Sequence, residues 1–266
     1  MQESLEELLR IARHAAQMAA VVHQNVEREN LAVGAKSSSI DLVTEIDQKS
    51  EQQIVSILRA ARPRDSIVGE EGASIAGSSG ICWIIDPLDG TTNFVHGYPA
   101  HAVSIGVEIE GRRALGVVHD TFHNRVYEGI CGEGARCDGK PVRVRAESEL
   151  SRALIGTGFL PDTKVRRTQA EVLGFVLPLV RDVRRSGCPS LDICAVAAGV
   201  LDGFYECGLG RWDIAAGAAI AEAAGARVVE LSSLILPNPL LIAGNAILVE
   251  KLAAILIRAG AATQYV

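Results

Sequence analysis

Trp83-Ile84-Ile85-Asp86-Pro87-Leu88-Asp89-Gly90-Thr91-Thr92-Asn93-Phe94 joins a bulky apolar run to two carboxylates three residues apart, and then to Gly-Thr-Thr. Trp83 to Ile85 predict a short strand buried on both faces, with Asp86 leaving its C-terminal end. Pro87 fixes φ and removes a donor, which keeps the chain in a tight turn and aims Asp86 and Asp89 at one volume. Two carboxylates held that close repel each other unless a cation sits between them. Gly90 frees the backbone, and Thr91 and Thr92 read as the first turn of a helix whose unpaired N–H groups can receive an anion. Metal and phosphate are expected to meet at this turn.

The rest of the chain predicts elements on both sides of it. Leu5, Leu8, Leu9, Ala12, Ala15, Ala16, Ala19 and Val22 recur at helical spacing, and Ser4 with Glu7 has the form of a capping box. Gly34 to Ser39 reads as a flexible loop, and a second helix is expected from about Thr44 to Ala60. Ser66-Ile67-Val68-Gly69 is a short strand that delivers Glu70 and Glu71, followed by a mobile Gly/Ser-rich stretch over 72–80. From His101 to about Val144, alternating segments punctuated by glycines predict an antiparallel meander. Beyond Leu150, strands and helices alternate, with a helix expected near Thr168 to Val180 and a final helix over Ala246 to Arg258. These patterns divide the chain into an N-terminal α+β half, 1–150, and a C-terminal α/β half, 151–266, with the acidic turns gathered between them.

The bulk properties are those of a soluble globular protein: 266 residues, 48% hydrophobic and 22% charged. A net charge of −6 gives no support to nucleic-acid or anionic-membrane binding, so a phosphate substrate needs local cations. The six cysteines show no zinc spacing, and reduced, mostly buried thiols are expected. The acidic N-terminus does not read as a signal peptide, and no apolar run reaches membrane-spanning length. A cytoplasmic location is the expectation.

Further acids fall where elements change: Asp47 in the second helix, Glu70 after a strand, and Asp213 opening a helix after Arg211-Trp212. Hard oxygen ligands without His or Cys favour Mg²⁺ over Mn²⁺ or Ca²⁺. Several acids sharing two or three cations suit an in-line displacement at phosphorus. An aspartyl-phosphate mechanism of the haloacid-dehalogenase type needs the second Asp at +2, and here it stands at +3. No Ser-His-Asp or Cys-His signature offers another nucleophile. Glu206 admits a second reading as a strand-end salt bridge, Cys188 as a buried small residue, and Lys36 as a solvated loop lysine. His96 and His101 read as loop or packing residues, and Trp83 and Trp212 as walls of the site.

Asp41-Leu42-Val43-Thr44-Glu45-Ile46-Asp47, Gly69-Glu70-Glu71, Trp83 to Phe94 continuing to His96-Gly97-Tyr98-Pro99, and Arg211 to Gly217 together resemble the inositol monophosphatase family of lithium-sensitive, magnesium-dependent phosphomonoesterases. The resemblance implies a layered αβαβα sandwich of the inositol monophosphatase and fructose bisphosphatase type, as one compact catalytic unit. It implies that Glu70, Asp86 and the Leu88 carbonyl bind one Mg²⁺ and that Asp86, Asp89 and Asp213 bind a second. Glu70 would serve a third, weaker ion. Thr91, hydrogen-bonded to Asp47, would orient a metal-activated water for attack on phosphorus, and Gly90 and Thr91 N–H groups would receive the phosphate oxygens. Asp89, Gly187, Cys188, Glu206 and Asp213 would contact the substrate. Lys36 would close near the metals.

The family's ring-binding turn usually runs Gly-Ser/Thr-Ala. Here it reads Gly187-Cys188-Pro189, with a weaker donor at 188 and no N–H at 189. The expected reaction is hydrolysis of a small phosphorylated polyol, inositol monophosphate first, with histidinol phosphate and fructose 1,6-bisphosphate as rivals. Thr-Thr-Asn-Phe over 91–94 sets the chain apart from the bisphosphate nucleotidases, where Thr-Lys-Glu-Phe is usual. A homodimer is implied by the same resemblance. A regulatory scaffold is the reading of a different class.

Overall fold

The computed structural model describes residues 4–25, 33–35, 42–233, 235, 240–262 and 264–265. Two sheets carry the architecture. The first is built from β3 (Ser66–Gly69), β4 (Ser74–Ile75), β5 (Ile81–Asp89), β6 (Ala102–Ile109), β7 (Arg112–Asp120), β8 (Arg125–Ile130), β9 (Gly134–Cys137) and β10 (Lys140–Val142), in the order β10-β9-β8-β7-β6-β5-β3-β4. From β5 to β10 it is an antiparallel meander, and β3 joins β5 in parallel. The second contains β11 (Leu154–Thr157), β12 (Asp182–Arg184), β13 (Gly203–Cys207), β14 (Arg227–Ser232), β15 (Leu240–Gly244) and β16 (Gln264–Tyr265), in the order β12-β11-β13-β15-β14-β16. A small hairpin pairs β1 (Val33–Ala35) with β2 (Leu42–Thr44).

Helices fill the spaces around the sheets. α1 (Leu5–Gln24) and α2 (Glu45–Ala61) put Leu8, Ala12, Ala15, Ile54 and Leu58 onto Ile67, Trp83, Ile85 and Ile105 of the first sheet. α5 (Pro189–Ala197) and α6 (Arg211–Ala223) occupy the middle, where Ile193, Ala216 and Ile220 share a core with Val118 of the first sheet and Phe204 and Leu241 of the second. α4 (Thr163–Val176) and α7 (Ala246–Arg258) cover the far face, with Val172, Leu248 and Leu252 against Ile155 and Ile242. The outcome is a layered αβαβα sandwich.

Close approach of α6 to the first sheet has a readable cause. A Cβ at Gly106 would come within 2.7 Å of the Ala215 Cβ, and one at Gly116 would run into the backbone of Ala216. Glycines on the sheet and alanines on the helix let the two backbones meet, which carries Asp213 in the first turn of α6 to the end of β5.

Some local expectations give way to the structure. Ser4 makes no side-chain cap; its carbonyl instead accepts from the Glu7 N–H at 3.0 Å. β5 does not end at Ile85 but continues through Asp89, with an irregularity against β6 between Asp86 and Asp89 that absorbs Pro87. The stretch 72–80, read as a loop, contains β4, and Gly34 belongs to β1. α4 starts a turn and more before the expected Thr168, because the Asp162 carboxylate caps it by accepting from Lys164 N and Val165 N, both at 2.9 Å.

Candidate active site

Glu70 and Asp86 stand side by side because β3 and β5 run parallel with Gly69 opposite Ile85, and the Glu70 N–H donates to the Ile85 carbonyl at 3.1 Å. The loop after β3 is fixed from below. Glu51 of α2 accepts from the Glu71 and Ala73 N–H groups, each at 2.9 Å. The turn after β5 is self-braced: Leu88 N–H donates to Asp86 Oδ1 at 3.0 Å, and the Thr91 hydroxyl donates to the Leu88 carbonyl at 3.1 Å. Gly90 then takes φ +87°, a left-handed value, and a Cβ there would come within 2.8 Å of the Ala100 carbonyl oxygen. α3 (Thr91–His96) starts from it.

Asp86, Asp89 and Asp213 present carboxylate oxygens that all lie within 4.8 Å of one another. Burial raises the pKa of Asp86 well above the carboxylate range, and the neighbouring charges of Glu70, Asp89, Asp213 and Asp47 raise it further. Asp213 is also raised, by burial and by Asp89, against a 2.6 Å hydrogen bond from the Gly210 N–H. Burial raises Asp89 too, opposed by donors from Ser190 and Cys188. A set of acids that discourages its own ionisation this strongly fits a bound cation, which would remove the repulsion and restore the charged forms. All the donors are hard oxygens. Asp47, buried in the first turn of α2, is near enough to Asp86 to act on its charge.

These acids occupy one end of a cavity of about 420 Å³ lined by Glu70, Asp86, Leu88, Asp89, Gly90, Thr91, Thr92, Phe159, Pro161, Arg166, Arg185, Gly187 and Asp213. Gly187 lies on its wall, at the turn entering α5. Cys188 does not face the cavity. It is fully buried, and its thiol donates to Asp89 Oδ2 at 3.0 Å beside the Ser190 N–H, which reaches the same oxygen at 2.7 Å. Burial and the Asp89 charge push that thiol's pKa well up. Glu206 is buried behind Gly158 and lines a separate void of about 20 Å³; burial, Asp192 and Asp213 raise its pKa. Lys36 and Asp41 lie outside the described residues. His96 is exposed, whereas His101 is buried edge-on against Phe94 at 5.1 Å. Trp83 sits in the core and donates its indole N–H to Asp65 at 2.9 Å.

Three contributors to the site escaped the sequence reading. Asn93 donates its side-chain amide to the carbonyls of Ala100, Ser186 and Gly187 at 2.7, 2.9 and 3.2 Å, and so ties the α3 turn to the α5 turn. Arg166 and Arg185 supply the cavity's cationic side chains among the described residues. Their only sequence signals are the Asp162 cap before α4 and the position of Arg185 two residues before Gly187.

The sequence profile of the inositol monophosphatase family matches residues 4–261. The chain belongs to this family. Inositol-1-monophosphatase SuhB of Mycobacterium tuberculosis is 48% identical over 207 residues, covering 74% of this chain and 71% of that protein. The Nus factor SuhB of Pseudomonas aeruginosa is 40% identical over 242 residues, 87% of each. Among solved structures, the extragenic suppressor protein SuhB from Bartonella henselae superposes with a TM-score of 0.88 at 35% identity, covering 94% of this chain and 98% of that one. Family membership agrees with a phosphatase whose three clustered aspartates can hold metal. Among the described residues no helix is long and apolar enough to cross a membrane.

Proposed function

We propose that the chain is a Mg²⁺-dependent phosphomonoesterase acting on a small phosphorylated polyol, with inositol monophosphate first in line. The carrying observation is the Asp86, Asp89 and Asp213 cluster lining the cavity together with the Gly90–Thr91 turn. In this reading Glu70, Asp86 and the Leu88 carbonyl hold one ion and Asp86, Asp89 and Asp213 another, with Glu70 available to a third. When bound, Mg²⁺ supplies neutralisation of the phosphate and acidification of a water. Thr91, whose hydroxyl here donates to the Leu88 carbonyl rather than to Asp47, orients the attacking water once that hydroxyl turns to Asp47 as the buried proton acceptor, and the Gly90 and Thr91 N–H groups steady the phosphate oxygens. Gly187 offers the ring contact, while Cys188 and Glu206 act from behind the cavity wall. Lithium inhibition, a homodimer and a cytoplasmic location follow from the same family reading.

The test is phosphate release from myo-inositol 1-phosphate with Mg²⁺, by the native chain and by Asp89→Asn. Loss of one ligand of the second ion should lower the rate roughly 10³-fold with the fold retained. A native chain that releases phosphate from neither this ester nor histidinol phosphate nor fructose 1,6-bisphosphate would sink the reading. A regulatory role is the second reading, favoured by the relatives that carry the name Nus factor. A cellular phenotype that survives Asp89→Asn would support it.

A further inference from the structure

The acids of the cavity are not held alike. Asp86 and Asp89 belong to β5, an interior strand with β3 on one side and β6 on the other. Glu70 instead stands where the chain leaves β3 for β4, a two-residue strand at the edge of the sheet. The turn from Glu70 to Ala73 is closed at its neck by the Gly69 N–H, which donates to the Ala73 carbonyl at 2.7 Å. Its remaining hold comes from another element.

That hold is the buried Glu51 carboxylate of α2, which gives Oε2 to the Glu71 N–H and Oε1 to the Ala73 N–H. The fit is tight, since a Cβ at Gly69 would run into Glu51 Oε2. Gly69 and Glu71 thus rest on the same oxygen, and Glu70 is the residue between them. α2 is itself fixed by Ile54 and Leu58 in the core, and four residues before Glu51 it carries Asp47, whose charge acts on Asp86. A carboxylate buried near other acids is costly, and a neutral glutamine has a single acceptor oxygen for the two N–H groups. Two charge-assisted bonds to the turn that carries Glu70 give the charge a use.

We propose that Glu51 is a positioning residue for Glu70: its two hydrogen bonds set how the Glu70 carboxylate enters the cavity, and with it the affinity for the cation that Glu70 holds. The inference rests on the metal-dependent reading of the site.

Mn²⁺ is the probe, its binding to the chain without substrate followed by electron spin resonance, with thermal unfolding and phosphate release measured in parallel. Glu51→Gln keeps one acceptor and should weaken Mn²⁺ roughly tenfold, and Glu51→Ala, which keeps neither, should weaken it more. Gly69→Ala pushes Glu51 away from the other side and should reproduce the Glu51→Gln effect with the carboxylate still present. In a Glu70→Gln background, Glu51→Gln should add nothing. Mn²⁺ affinity that Glu51→Gln and Gly69→Ala both leave unchanged overturns the proposal. A weakening that persists in the Glu70→Gln background overturns it too, because Glu51 then acts through general stability. Weakening that disappears in that background, in a chain that releases phosphate from no ester, upholds the inference and sinks the hydrolase reading. Phosphate release with Mn²⁺ binding indifferent to Glu51 does the reverse, and a native chain that binds no Mn²⁺ overturns both.

Discussion

The carboxylate wall of the cavity and the wall facing it differ in how their side chains are held. Asp86 and Asp89 lie in the last residues of a strand in the interior of the first sheet, Glu70 follows its parallel neighbour, and Asp213 is brought in by a helix seated on glycines. The cationic wall comes from the first turn of α4 and from the end of β12, an edge strand of the second sheet, with Pro161 and Arg185 exposed. Side chains of the aspartate cluster, which could hold metal, sit on the rigid interior, and the arginines sit where a substitution disturbs no core. Asn93 and the pair of donors on Asp89 are the links between the two.

Stability against pH separates the walls most strongly. Without divalent cation, Asp86, Asp89 and Asp213 hold protons in the folded state to higher pH than they do unfolded, and so does Asp192 under the α5 turn. Acids with raised folded pKa stabilise fully below the ordinary carboxylate range, and that stability is lost as pH rises through the folded value, about 7 for Asp213 and Asp192. The metal-free protein should therefore lose stability as pH rises from the ordinary carboxylate value, about 4, to about 7. Saturating Mg²⁺ should abolish the share of the three aspartates and leave that of Asp192. Thermal unfolding in EDTA and in Mg²⁺ across this range measures both. Metal-free stability that is flat or rising would remove the charge frustration on which the metal assignment leans.

The two walls were also unequally legible. Acids at strand ends announce themselves, because carboxylates next to runs such as Trp83-Ile84-Ile85 have few structural uses, and the Pro87 turn fixes their direction. The elements around them followed from periodicity, down to α7 at Ala246–Arg258. Arginine is common on every surface, so nothing local separates Arg166 and Arg185 from the exposed Arg181 or Arg184. Which way a turn residue points depends on the partner element as well: Cys188 turns inward because Asp89 offers an acceptor there. The early start of α4 was missed for a simpler reason, since the Asp162 cap precedes a first turn with little apolar periodicity.

Asn93→Ala should have an intermediate effect. The amide is buried and serves three carbonyls, so its removal leaves acceptors of both turns unpaired, at a cost of roughly 2 kcal/mol. For a chain of this length that is a fall of about 4 °C in unfolding temperature. Because Ser186 and Gly187 would come free of α3 while Asp86 and Asp89 keep their own bracing, Michaelis constants should rise more than Mg²⁺ activation changes. Equal damage to both would show that the two walls form one unit.

The smallest effect is expected at Cys188. Its thiol and the Ser190 N–H both bind Asp89 Oδ2. Cys188→Ala removes one of the restraints on Asp89 and a weak donor, so the Mg²⁺ concentration for half-maximal rate should rise only about threefold, with the rate at saturating Mg²⁺ nearly kept. Cys188→Ser supplies a stronger donor of smaller reach and should return the requirement to the native level or below it. Titrating phosphate release against Mg²⁺ in the three proteins decides the matter. If serine and alanine shift the requirement equally, the thiol only fills space behind Asp89, and the link between the walls at this point is packing rather than a hydrogen bond.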